Sequence, residues 1–219
     1  MRKNPYIYII VLLISACSSP RHAEKLQAEK LRDKTHVIAY NTKTISKRIG
    51  ESELGNLLAD ALLAKAKSYS KEPVDFAVLH WNEIYVPQLP QGNITVENIY
   101  EMIPSDNEIV LLELDGKSAK ELFDYMASGG GIPIAGVRYV INSQKAENVE
   151  ISGMPFDETK TYTLALSDYW ANESSQPYVL KWVKKTSTMK LLRDAILEYL
   201  EEHKSITGNK DDRVSVKMR

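Results

Sequence analysis

Glu108-Ile109-Val110-Leu111-Leu112-Glu113-Leu114-Asp115-Gly116-Lys117-Ser118-Ala119-Lys120-Glu121-Leu122-Phe123-Asp124-Tyr125-Met126 places both kinds of regular structure in one run. Its first part, Glu108 to Leu114, is apolar, of strand length, and the best strand in the chain. Asp115-Gly116 supplies a turn signal. Ser118, with Glu121 three residues on, makes a capping box for a helix whose Ala119, Leu122, Phe123 and Met126 recur at helical spacing. Gly129-Gly130-Gly131 then stops that helix. The stretch predicts a strand, a turn and a helix in direct succession.

The same reading extends outward in both directions. On the N-terminal side, His36–Tyr40 is a short strand candidate. Glu51–Ser68 carries Leu54, Leu57, Leu58, Ala61 and Leu62 on one helical stripe. Asp75–Leu79 reads as a buried strand, and the proline-bearing His80–Gly92 as a long loop. Thr95 caps a short helix running to Glu101. On the C-terminal side, strands are expected at Val137–Asn142, Asn148–Ser152 and Thr161–Leu166, with turns at Ser152-Gly153 and at Pro155-Phe156-Asp157. A final amphipathic helix is expected over Thr188–Glu202 and a closing strand over Arg213–Lys217. Strands and helices interleave without a strict βαβ rhythm. The expected class is therefore α/β in the mixed, α+β sense: one domain with a mixed sheet and flanking helices.

Composition narrows the function. With 219 residues, 43% hydrophobic and 26% charged, the chain is long and apolar enough for a buried core, which excludes wholesale disorder. A formal net charge of -1 gives no electrostatic footprint for nucleic acid. One cysteine forbids an intrachain disulfide framework and any multi-cysteine metal site. His22, His36, His80 and His203 are scattered rather than set at ligand spacing. No HExxH, phosphate-binding glycine loop, GxGxxG or GxSxG elbow occurs. Nothing resembles a self-sufficient catalytic centre.

The N-terminus reads as an address. Arg2 and Lys3 precede the apolar run Tyr6–Ile14, which is too short to span a bilayer and has the order of a secretory signal peptide. The single cysteine, Cys17, follows Leu13-Ile14-Ser15-Ala16, a pattern that resembles a bacterial lipobox. Cys17 is therefore the expected lipidation site, the alternative being a plain signal peptide with an incidental cysteine. The expected organisation is a leader at 1–16, a polar tether at 17–34 and a domain at 35–219. The expected location is the bacterial cell envelope, lipid-anchored and periplasmic or surface-facing.

Several stretches taken together resemble the C-terminal domain of the 5′-nucleotidase and 2′,3′-cyclic phosphodiesterase family. Arg48-Ile49-Gly50-Glu51-Ser52-Glu53-Leu54-Gly55-Asn56-Leu57-Leu58-Ala59-Asp60 is similar to that domain's opening helix. Asp75-Phe76-Ala77-Val78 is similar to its next strand. Leu89-Pro90-Gln91-Gly92-Asn93-Ile94-Thr95, with Ile99–Pro104 and Asn107, resembles its L-P-x-G-x-I-T region. Leu112–Gly116, Asp157–Thr163 and Ser167-Asp168-Tyr169 follow in the family's order. The resemblance implies a domain that supplies the nucleoside pocket. Two divalent metals and the hydrolysis belong, in that family, to a separate metallophosphoesterase domain, for which this chain has no counterpart.

The departures bear on the pocket. Where the family carries N-G-G-x-x-R, this chain reads Leu79-His80-Trp81-Asn82-Glu83-Ile84-Tyr85-Val86, so the phosphate-holding arginine falls on Val86. Asn82 stands for the motif's asparagine only if a gap is allowed. Of two base-sandwiching aromatic positions, one is kept by Tyr169 and the other falls on the aliphatic Ile134. The aspartate of the family's G-G-D-G motif falls on Ser175. Tyr169, Asn82 and Ile134 are the substrate-binding candidates. Packing remains the competing reading for Tyr169, as it does for Trp81, Trp170 and Trp182, while Asn56 and Asp60 fit structural hydrogen bonding equally well.

The lipobox pattern and the nucleotidase resemblance together imply a lipid-anchored, nucleotide-binding half of a split 5′-nucleotidase. It binds no cofactor itself and is inactive alone. A separately encoded metallophosphoesterase is the expected partner, a nucleoside or nucleotide the expected ligand, and nucleic acid is not expected. The alternative is a degenerate interaction or structural lipoprotein of the envelope.

Overall fold

The computed structural model describes residues 34–172 and 177–217. The expected leader, Cys17, the expected tether up to residue 33, and Glu173-Ser174-Ser175 lie outside the described residues. The compact unit is Thr35–Arg219.

The described chain runs β1 (Val37–Asn41), β2 (Ile45–Ser46), α1 (Glu53–Tyr69), β3 (Phe76–Val78), β4 (Gln88–Leu89), β5 (Gly92–Thr95), α2 (Val96–Met102), β6 (Glu108–Asp115) and α3 (Gly116–Ser128). It continues with β7 (Ile134–Ala135), β8 (Val137–Asn142), β9 (Lys145–Ile151), β10 (Met154–Pro155), β11 (Thr161–Ser167), α4 (Asp168–Asn172), β12 (Lys185–Leu191), α5 (Leu192–His203), β13 (Ser205–Ile206) and β14 (Val214–Val216). Single 3-10 turns occur at Trp81–Glu83 and Tyr178–Leu180.

A five-stranded sheet ordered β12-β6-β11-β3-β7 divides the unit. It is mixed: β11 pairs with β3 in parallel, whereas β6 pairs with β11 and β12, and β3 with β7, antiparallel. Both faces are covered, which is why Glu108–Leu114 reads as an almost unbroken apolar run. Along β6 the side chains alternate: Ile109 and Leu111 join the core under α1 and α5, while Val110, Leu112 and Leu114 join the core under α3. The second core is closed by the sheet β10-β9-β8-β14, through Tyr139, Ile141, Val149 and Ile151. Among the described residues, those of both cores lie between Ile38 and Val214.

The β6–α3 junction corrects one expectation. The helix begins at Gly116, and its cap is Asp115 rather than Ser118: Asp115 Oδ1 accepts from Ser118 N–H at 2.7 Å. Aspartate is among the strongest N-cap residues and needs no separate turn to reach the first helical amides. Gly116 is required by close approach, since a Cβ there would lie 2.3 Å from the Glu158 carbonyl oxygen. The Asp157–Lys160 turn before β11 therefore presses on the helix start.

The helix expected from Thr188 begins instead at Leu192. The residues before it extend β12, with Lys185, Thr186 and Ser187 opposite Leu112, Leu111 and Val110. Thr188 Oγ1 donates to Ile109 O at 2.8 Å. Backbone pairing with β6 takes these β-branched and polar residues out of the helix. The long loop at His80–Gly92 holds a 3-10 turn and the two-residue β4. The other expected strands and helices appear within a few residues of their predicted limits.

Candidate functional site

The parallel pair β3 and β11 ends at one edge of the sheet, with Ala77 opposite Ala165 in its last register. Loops leaving the carboxyl ends of parallel strands are where ligands bind in α/β sheets. After β3 the chain enters the turn Trp81–Glu83, capped by His80, and after β11 it enters α4. The two loops are joined, because the His80 ring stacks on Trp170 with centroids 5.5 Å apart. Asn82, on the first loop, is exposed, and Tyr169, on the second, is 39% exposed. The glycine stop of α3 is tied to the first of them, where Trp81 Nε1–H donates to Gly131 O at 3.2 Å.

Ile134 reaches the same end of the sheet, opposite Val78, but its side chain is 1% exposed and packs into the core beneath α3. Its carbonyl accepts from Arg213 Nη1 at 3.0 Å. The structure thus brings Asn82 and Tyr169 to neighbouring exposed loops and turns Ile134 inward. The half-buried Trp81 offers aromatic surface beside them.

Glu83 is a residue that sequence reasoning misses, because no spacing rule separates it from the rest of its loop. It is 3% exposed. Its Oε2 accepts from His80 N–H at 3.1 Å, and its Oε1 from Asn107 Nδ2 at 3.3 Å. Burial pushes its carboxyl above the usual range, against hydrogen bonds from Ser167, the His80 amide and Asn107, and Asp168 adds to the rise. None of those hydrogen-bond donors is a cation. Ser167 Oγ also accepts from Trp170 N–H at 3.2 Å, and Asp168 Oδ1 from Glu108 N–H at 2.9 Å. Glu83 therefore ties together the ends of β3 and β11 and the start of β6. The indole N–H of the buried Trp170 has no hydrogen-bond partner among the described residues.

The motif residues Asn56 and Asp60 lie elsewhere. Both line a polar cavity of about 440 Å³ between α1, α5 and the segment Ser205–Arg213, which contains neither Tyr169 nor Asn82. Asn56 Nδ2 donates to Glu51 Oε1 at 2.8 Å and to Asn209 O at 2.9 Å. Asp60 accepts from Arg213 at 2.6 and 3.1 Å. Arg213 also donates to Asp211 at 2.8 and 2.9 Å and to Ile134 O, so all its N–H donors are engaged. Burial disfavours its charge, but Asp211 and Asp60 outweigh that and hold the guanidinium above its ordinary range. This corner pins the C-terminal segment to α1.

Among the described residues, no group of at least three His, Cys, Asp or Glu side chains is placed to hold a metal ion. The residues described do not fit a two-metal hydrolytic centre. What the β3/β11 end can do is present an aromatic ring, an amide side chain and a rigid backing to a small polar ligand.

The family profile for "5'-nucleotidase, C-terminal domain" matches residues 33–185. Endonuclease YhcR of Bacillus subtilis is 28% identical over 135 residues, which is 59% of this chain and 10% of that protein. Protein UshA of Yersinia enterocolitica is 24% identical over 168 residues, 74% of this chain and 29% of that protein. The chain thus spans less than a third of these relatives' length. In fold it is similar to the 5'-nucleotidase precursor from Thermus thermophilus, with a TM-score of 0.75 and 24% identity over 90% of this chain and 43% of that one. The Haemophilus influenzae NAD nucleotidase follows, with a TM-score of 0.74 and 16% identity over 90% and 41% of the two chains. The profile takes in β1 through the start of β12, including both loops at the β3/β11 end, and the chain belongs to the 5′-nucleotidase C-terminal domain family.

Proposed function

We propose that this chain is the ligand-gripping half of a split nucleotide phosphoesterase, held at the cell envelope by an acyl group on Cys17. The observation that carries the reading is the pairing of two loops at the carboxyl ends of β3 and β11, one bearing Asn82 and the other Tyr169. Tyr169 stacks on the base and Asn82 donates to or accepts from its polar edge, with Trp81 closing one side. The chain's contribution is positioning: it holds the nucleoside so that the phosphate projects toward metals carried by a separately encoded metallophosphoesterase. Relatives named as nucleotidases support a nucleotide ligand.

The second reading, a degenerate interaction lipoprotein, is favoured by one specific observation. The position of the first stacking ring is Ile134, whose side chain is closed into the core.

Calorimetric titration of Ser18–Arg219 with adenosine and AMP separates the two. Micromolar binding is expected on the first reading. A folded protein that gives no heat at millimolar ligand would leave the second. The anchor is tested apart from the pocket: metabolic labelling with palmitate should tag the wild type and not Cys17→Ser.

A further inference from the structure

A second surface stands out by charge and exposure. From Ser174 through Lys185 the sequence holds Lys181, Lys184 and Lys185 and no acidic residue, in a chain whose charges otherwise balance. Val179, Leu180 and Val183 turn into the core under α3. That inward turn leaves Tyr178 and Trp182 facing out, each 75% exposed. Lys181 is exposed beside them, its Nζ 5.3 Å from the Trp182 ring centroid. The other two tryptophans are packed, Trp170 completely and Trp81 partly. A tryptophan and a tyrosine left in water among lysines are a costly arrangement for a soluble surface and a favourable one at a bilayer interface. There the rings sit at headgroup depth and the ammonium groups meet lipid phosphates.

We propose that Tyr178, Lys181, Trp182 and Lys185 form a contact surface for an anionic lipid bilayer. The choice of a bilayer over an acidic macromolecule rests on charge complementarity together with the acyl site expected at Cys17. The segment 17–34, at no more than about 3.4 Å per residue, spans at most about 60 Å, so an anchored domain can turn this face to the leaflet. The tether makes the contact intramolecular, so even a weak patch is filled. The surface then sets how the anchored domain is oriented. It rests on the anchor proposed above at Cys17 and not on the nucleotide reading.

The test uses unacylated Ser18–Arg219, which contains the whole compact unit, with vesicles of phosphatidylcholine alone or mixed with phosphatidylglycerol. Co-sedimentation with the phosphatidylglycerol vesicles is expected at low salt and should be lost at high salt. Trp182 emission should shift to the blue on binding, because the other two tryptophans are already packed. The double charge reversal Lys181→Glu with Lys185→Glu should weaken binding more than about tenfold. The nucleoside titration of that variant should match the wild type. Absence of sedimentation with phosphatidylglycerol vesicles, or binding indifferent to the charge reversal, would overturn the proposal. So would lysine-dependent binding to a single-stranded oligonucleotide without vesicle binding, which would assign the patch to nucleic acid.

Discussion

Two corners of this molecule hold residues that a motif search would mark alike, and they are built on opposite principles. At the Arg213 corner every guanidinium N–H is engaged, and both amide hydrogens of Asn56 are used within the chain. At the β3/β11 end a buried carboxylate, Glu83, sits among donors none of which is a cation, and a buried indole N–H, that of Trp170, is unmatched among the described residues. A closed account of donors and acceptors marks a structural lock. Beside Glu83 and Trp170, the exposed Asn82 and the part-exposed Tyr169 are what this end can offer a ligand.

The sharpest way to break this comparison is Arg213→Ala. It strands Asp60, Asp211 and the Ile134 carbonyl and should cost about 1–3 kcal/mol in denaturant unfolding, half-exposure of the two carboxylates limiting the loss. Nucleoside affinity should stay within about twofold. A large affinity loss at unchanged stability would move the site to the Arg213 corner.

Tyr169→Ala reverses the pattern. Loss of a stacking ring should weaken nucleoside binding about tenfold or more, with the melting temperature nearly unchanged, as measured by calorimetry and thermal unfolding. An unaltered affinity would make Tyr169 a packing residue.

The smallest effect is the pH signature of Glu83. A carboxyl raised in the folded state binds its proton more tightly there than in the unfolded chain. Its stabilising contribution is therefore complete below its ordinary value of 4.5 and is lost as the pH rises through the higher folded value. Asp115, Asp124, Asp157, Glu198 and Asp211 are shifted downward and act in the opposite sense, losing their contribution as the pH falls. The difference in stability between wild type and Glu83→Gln isolates Glu83: wild type should lose ground relative to the variant as the pH climbs above 4.5. A flat difference would show that Glu83 is not held in its buried setting.

What is legible in the sequence follows from what local pattern can carry. The stripe Leu54, Leu57, Leu58, Ala61, Leu62 marks α1, and the run Glu108–Leu114 marks β6, because burial of one helix face or of both strand faces is written in residue order. The helix expected from Thr188 starts too early because β12 is an edge strand whose pairing with β6 is a tertiary fact. Asp115 reads as a turn residue rather than a cap because its helix starts at a glycine that only the approach of Glu158 explains. At the proposed site, Tyr169 and Asn82 are reachable through family resemblance. Glu83 is not, since its burial comes from three segments meeting, and Asn56 and Asp60 acquire their structural role only once Asn209 and Arg213 are placed beside them.

The most direct test of where the ligand sits uses the three indole N–H signals in a nitrogen–proton correlation spectrum of Ser18–Arg219. Trp81 and Trp170 belong to the β3/β11 end, and Trp182 lies on the basic, aromatic face. Added adenosine should move the Trp81 and Trp170 signals and leave Trp182 in place. Movement of Trp182 alone, or three unmoved signals at saturating adenosine, would contradict a nucleoside site at that end of the sheet.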